Sequence, residues 1–289
     1  MPSKAIHHSL KIGNRRANYD FFTKTLQMKV LRHEEIDSGC KIECNGPYDN
    51  PWSKTIVGYG SEADQFVLEL TYNYDVDSYT VRDELEGIYI QSDELMKSLE
   101  GKAGATKLPN GGIQIRSPDG YPFYICPGQG PKIKDSVSLH YVFKIGDRKA
   151  SYDFFTKVLQ MKVRYHAESC RCGSIGKDAK FSRRIEFFLK AWLWGGGYGR
   201  IAFSYPDDKL SELQSKIKAA NLPILKELVT LETPGKASVQ VVILLDPDNH
   251  EICFVGDKGF RELSKVDPKA DEHIRKEIEQ DNSASCLFT

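Results

Sequence analysis

The thirty residues that begin at Ile6, IHHSLKIGNRRANYDFFTKTLQMKVLRHEE, return at Leu139 as LHYVFKIGDRKASYDFFTKVLQMKVRYHAE, with nineteen identities at a fixed offset of 133. Shared helical propensity cannot produce that many identities, so the chain carries an internal duplication. Solenoids stack at least three units with periods of about 20–50 residues. Two copies this far apart specify two similar globular modules, and a length of 289 residues agrees with two domains.

Within each copy the pattern is strand, loop, helix, strand. Ile6, His8, Leu10 and Ile12 alternate with His7, Ser9 and Lys11, the period-2 signature of a strand with one apolar and one polar face. His140 and Lys144 hold the places of His7 and Lys11 in the second copy. Asn14 and Asp147 stand where a helix N-cap is wanted, ahead of apolar stripes at Tyr19, Phe22, Leu26 and at Tyr152, Phe155, Leu159. Further strands are expected at Phe66–Asn73, Gly87–Ser92, Gly112–Ser117, Arg183–Lys190, Gly199–Ser204 and Val239–Asp246. The turns SPDGY and DPDNH close comparable segments. The expected fold is α+β: two tandem modules, 4–127 and 137–256, made of four βαβββ-like units, followed by a charged surface tail over 257–289.

Forty Lys+Arg balance forty Asp+Glu, so no overall field draws nucleic acid or an anionic membrane surface. The partners expected are small molecules or proteins. The amino terminus lacks a secretory apolar run, and the longest strongly apolar stretch, Val241–Leu245, ends at Asp246; a soluble protein of the cytoplasm, with the mitochondrion as a second location, is expected. Seven cysteines in a chain of this size do not suggest a disulfide framework, and reduced structural thiols are expected. Cys40, Cys44, Cys170 and Cys172 lack the two-residue spacing of zinc knuckles. The terminal CLFT has neither a usual final residue for prenylation nor a preceding basic run.

Glu69 and Glu186 sit inside apolar strands, where an ionised carboxylate needs a partner or a metal. Each has a His on a polar strand face of its own module, and imidazole with carboxylate suits zinc, nickel or iron. The competing reading of the same residues is structural: ion pairs of Glu69 with Lys11 and of Glu186 with Lys144.

These motifs, with VGYG at Val57–Gly60 and ELTYNYDVDSY at Glu69–Tyr79, resemble the vicinal oxygen chelate superfamily, and the first module resembles glyoxalase I within it. The resemblance implies βαβββ units curled into cups, each holding a divalent metal, Zn or Ni, on four side chains of the inner strand faces. It also implies glutathione as co-substrate, with isomerisation of the methylglyoxal hemithioacetal to S-lactoylglutathione by a metal and a Glu base. By the same resemblance His7 and Glu69, and His140 and Glu186, match first and second ligands, with Glu69 or Glu186 as base. Lys11, Lys144, Asn73, Lys236 and Arg200 are the candidates for substrate contact. The third and fourth ligand places depart from the family: they read Gly87 and Arg200, and Tyr124 and Cys253.

Two functions follow as expectations, a glyoxalase I-like enzyme and a cup that lost its chemistry but binds an anionic metabolite or a protein. An extradiol dioxygenase would need a second His at a ligand place, which neither cup supplies. The duplication gives one chain the equivalent of a homodimer, so a monomeric pseudo-dimer or a homodimer is expected.

Overall fold

A computed structural model describes residues 3–80, 85–128, 138–161, 185–189, 199–232 and 237–283. Its strands, in chain order, are β1 (Lys4–Ile12), β2 (Lys29–Ile36), β3 (Trp52–Gly58), β4 (Val67–Asn73), β5 (Leu85–Gln91), β6 (Thr106–Lys107) and β7 (Ile113–Arg116). They continue with β8 (Pro122–Cys126), β9 (Ser138–Ile145), β10 (Ile185–Leu189), β11 (Arg200–Tyr205), β12 (Ile224–Leu231), β13 (Val239–Leu245) and β14 (Glu251–Gly256). Six α-helices accompany them among the described residues: α1 (Arg15–Asp20), α2 (Asp93–Leu99), α3 (Arg148–Asp153), α4 (Leu210–Ala219), α5 (Asp257–Leu263) and α6 (Ala270–Gln280). None is long and apolar enough to cross a membrane.

The strands form two sheets, and the sheets do not follow the sequence halves. An eight-stranded sheet runs β12-β13-β14-β11-β1-β4-β3-β2, joining the first unit to the last, while a six-stranded sheet, β10-β9-β5-β8-β7-β6, joins the two middle units. The seams are antiparallel, β1 on β11 and β5 on β9, and within the first unit β1 lies parallel to β4 with Ser9 opposite Glu69. Each sheet therefore has two units meeting along one antiparallel seam, the arrangement that a pair of facing cup halves requires.

The duplicated loops are tied the same way twice. Asn14 caps α1 by accepting from the Ala17 amide at 2.8 Å, and Asp147 caps α3 by accepting from Lys149 and Ala150. Both helices widen into a π turn, over Phe21–Thr25 and Phe154–Val158. Both end at a glutamine with positive φ, Gln27 at 55° and Gln160 at 54°. The two Pro-Asp turns reach across units. Asp119 accepts from the Gly13 amide and from Asn18, both at 2.7 Å, and Asp248 accepts from the Gly146 amide at 2.8 Å and from Ser151 at 3.0 Å. One carboxylate thus locks each loop between first strand and helix. Helices α2 and α4, the two π turns and one face of each sheet, with Phe123, Phe203 and Phe254, make the main core.

Two expectations are corrected. The tail is not merely a surface appendage: α6 lays Ala270, Ile274 and Ile278 against the first module, Tyr72 hydrogen-bonds Ser283 at 2.6 Å, and Tyr19 donates to Asp271 at 2.8 Å. At the centre of this contact lies Arg15, a side chain 1% exposed. It pairs with Asp281 at 2.9 Å and Glu35 at 2.6 Å, donates to the Glu277 carbonyl, and rests 4.8 and 4.9 Å from the Tyr72 and Tyr74 ring centres. The expectation of reduced thiols is also corrected. Cys40 and Cys44 are joined by a disulfide, because the turn between them brings their Cα atoms to 5.5 Å, within bridging range. Cys126 is likewise disulfide-bonded, leaving Cys253 as the free, buried thiol among the described residues.

Candidate functional site

The polar faces of β1 and β4 turn into a cavity of about 150 Å³ on the eight-stranded sheet. Its lining combines apolar residues, Ile6, Trp52, Leu231, Val241, Phe260 and Leu263, with the polar His7, Ser9, Glu69, Arg200, Arg32 and Glu34. The loop between β2 and β3 covers this face. Its Asn45 is fully buried and exchanges hydrogen bonds with Asn73, the side-chain amide meeting Asn73 Oδ1 at 3.0 Å and the backbone carbonyl accepting from Asn73 Nδ2 at 2.9 Å.

Among these polar residues a chain of charges orients one imidazole. Glu62, nearly fully buried, accepts from Arg32 at 3.0 Å and is bonded to His7 Nδ1 at 2.5 Å. Burial pushes the Glu62 carboxyl up, but the hydrogen bonds and charges of His7 and Arg32 outweigh it and hold the group at about 2. The ionised Glu62 therefore fixes the proton on Nδ1 and turns His7 Nε2 toward Glu69, whose Oε2 lies 3.9 Å away. Ser9 steadies the other Glu69 oxygen, donating at 2.8 Å. The folded value of Glu62 lies below its ordinary 4.5. Its contribution to stability is thus complete above pH 4.5 and is lost as pH falls toward 2. Glu62→Gln should remove that part of the acid dependence while also lowering stability at neutral pH, which urea midpoints at pH 7 and pH 3 would read.

The two remaining ligand places of this cup hold Arg200 and Cys253. Arg200 pairs with Glu251 Oε2 through Nε at 2.7 Å and Nη2 at 2.6 Å, and its Nη1 donates to the Ile42 carbonyl at 3.1 Å. Burial pushes the Cys253 thiol up to about 12, so it stays protonated. The donor set does not fit a divalent metal: a guanidinium holds one ligand place, which leaves His7, Glu69 and a single buried thiol, with the nearby Glu251 carboxylate already committed to that guanidinium. Catalytic zinc sites take three protein ligands, and among the described residues no group of three His, Cys, Asp or Glu donors forms here. The one such cluster, Asp246, Asp248 and His250, is a turn lock. Asp246 accepts from the amides of Asp248 and His250 and from the His250 ring, and Asp248 holds Gly146 and Ser151.

In the other cup Gly87 and Tyr124 lie on adjacent strands. A Cβ on Gly87 would sit 2.4 Å from the Tyr124 ring, which stacks on Tyr89 at 4.7 Å and whose hydroxyl accepts from Gln114 at 3.1 Å. One aromatic ring fills the space beside both ligand places. Gly87→Ala should accordingly cost about 1–3 kcal/mol by overpacking, and adding Tyr124→Ala should relieve that clash; thermal melts of the single and double variants measure it.

A family model described as glyoxalase domain-containing protein 4-like, C-terminal domain, matches residues 147–263. "Glyoxalase 1" of Caenorhabditis elegans is 44% identical over 99% of this chain and 100% of its own length. "Glyoxalase domain-containing protein 4" of Rattus norvegicus is 40% identical over 99% of this chain and 96% of its own. The chain belongs to the glyoxalase domain-containing protein 4-like family. Glyoxalase I from Zea mays shares the fold, with a TM-score of 0.68 at 19% identity over 91% of this chain and 95% of that one.

In this member of the family, His7, Glu69, Arg200 and Cys253 come together in one cup. Lys11 belongs to the same electrostatic cluster but is 6% exposed, its ammonium held under the covering loop beside Gly46. Burial, and then the Arg200 charge, lower it to about 8. Asn73 is fully buried, bound to Asn45, and donates to Tyr79 at 2.7 Å. His140, Lys144 and Glu186 occupy strand positions in β9 and β10, His140 opposite Tyr89 and Glu186 opposite Val142; their side chains, and Lys236 altogether, lie outside the described residues.

Sequence reasoning missed Glu62, Arg32 and the Arg200–Glu251 pairing. Arg32 and Glu34 left a signal, since they share one face of β2. Glu62 left none: it sits in a polar loop 55 residues from the His7 it orients.

Proposed function

We propose that this chain isomerises the hemithioacetal of a 2-oxoaldehyde such as methylglyoxal with glutathione to the 2-hydroxyacyl thioester, in the cup shared by the first and last units. The observation that carries this is the facing of Glu69 Oε2 and His7 Nε2 across 3.9 Å in one cavity, each held by its own partner. The relatives named glyoxalase support it.

Glu69 takes the proton from the hemithioacetal carbon, whose C–H electrons become the C=C bond of an enediolate as the neighbouring carbonyl oxygen turns anionic. His7 Nε2 relays the hydroxyl proton from the first oxygen to the second. Glu69 then returns its proton to the second carbon, leaving a thioester carbonyl on the first and a hydroxyl on the second. Substrate and product are isomers, and both side chains end as they began. Because the donor set does not fit a metal, no step passes through one.

A second reading, binding without turnover, is favoured by that same shortage of metal donors. Thioester formation by the purified chain from methylglyoxal and glutathione separates the two. Turnover above the uncatalysed rate supports the enzyme. Its absence, with saturable binding of an S-alkylglutathione, supports the binding module.

A further inference from the structure

We propose that Arg200 takes the place of a divalent ion in the cup of the first and last units: its guanidinium is the resident cation that steadies anionic oxygen on the bound substrate, and its presence closes the cup to divalent metals. The first half rests on the enediolate reading given above; the second stands without it.

Arg200 opens β11, next to Ile201, the partner of His8 across the seam, so it lies beside Ser9 and lines the cavity with His7 and Glu69. A guanidinium has five N–H donors. Nε and one N–H of Nη2 meet Glu251 on β14, and one N–H of Nη1 meets the Ile42 carbonyl of the covering loop. Among the described residues no further partner is found, which leaves one N–H on each terminal nitrogen for the cavity.

The group is held from two elements and is 13% exposed. It is thus a preorganised charge of the kind that stabilises a developing oxyanion without reorganising. Two adjacent oxygens of an enediolate match a pair of donors on one plane. A metal on His7 and Glu69 would instead have two protein donors and a fixed like charge against it.

The test is calorimetric titration of Zn, Ni and Co into the chelator-treated full chain and into Arg200→His, with circular dichroism to verify folding. The wild type is expected to take up no stoichiometric ion. Arg200→His is expected to take up one, with the visible absorption of a cobalt(II) site. Stoichiometric binding by the wild type overturns the proposal. So does its absence from folded Arg200→His; should that variant not fold, the wild-type titration decides alone.

In turnover, Arg200→Ala should lower kcat by about 10²–10³-fold with little change in KM, and added guanidinium ion should restore part of the rate. A loss confined to KM, or no loss, overturns the charge-steadying role. A wild type inactive on every 2-oxoaldehyde hemithioacetal would remove the enzyme reading, and with it that role, while the titration still settles the exclusion of metal.

Discussion

Arg15→Ala is expected to destabilise the protein by about 3–5 kcal/mol, the cost typical of removing one partner from a buried ion pair, whereas Arg148→Ala should stay within about 0.5 kcal/mol. The two arginines are duplicates at the offset of 133 and open equivalent helices, yet Arg148 is exposed and Arg15 is nearly fully buried. The difference is the tail. Asp281 is buried, its Oδ2 faces Arg15 at 2.9 Å, and once the guanidinium is gone its charge is left to the hydrogen bonds of Ser283 on Oδ1, with no positive partner.

The stem of Arg15 also fills the space beside Tyr72 and Tyr74, so lysine, a point charge without the planar fork, should recover little. Arg15→Ala with Asp281→Asn should be less destabilised than Arg15→Ala alone, because the stranded charge is then removed. Urea denaturation of the four variants measures this. Equal shifts for Arg15→Ala and Arg148→Ala would show that the tail is not held by this residue.

The second large effect is expected at Glu69. Glutamine there keeps the shape, can still accept from Ser9, and cannot take a proton. Glu69→Gln should therefore cost about 10²–10⁴-fold in kcat while leaving the melting temperature near that of the wild type. A variant that lost activity only by unfolding would show both changes together. Glu62→Gln should give a smaller loss in the same direction, since His7 keeps its nitrogen but loses the carboxylate that orients it.

The units of the fold were legible because their signals are local. Alternation in IHHSLKI and VLELTYN placed His7 and Glu69 on polar faces, and β1 and β4 indeed bring them together. The caps at Asn14 and Asp147 were readable from residue type alone.

Which units share a sheet was not legible. A strand's inward and outward pattern says which face is buried, not which edge meets its edge, and β1–β11 and β5–β9 are both edge choices. The site was half legible for the same reason. Arg200 reads as a departure from a ligand pattern, but its pairing with Glu251 appears only when β14 lies next to β11. The duplicated pair Arg15 and Arg148 makes the limit plain: similar local sequence, opposite burial, decided by residues about 260 positions away in the chain.

The assignment of the chemistry to one cup is tested most directly by comparing Glu69→Gln with Glu186→Gln in thioester formation from methylglyoxal and glutathione, each shown to be folded. In the cup of the middle units the Tyr124 ring fills the space beside Gly87, and Gly87 and Tyr124 stand where that cup's third and fourth ligands would be. Glu69→Gln should lose about 10²–10⁴-fold in kcat and Glu186→Gln should retain turnover. Turnover lost in Glu186→Gln and kept in Glu69→Gln would contradict the assignment and move the active site to the other sheet.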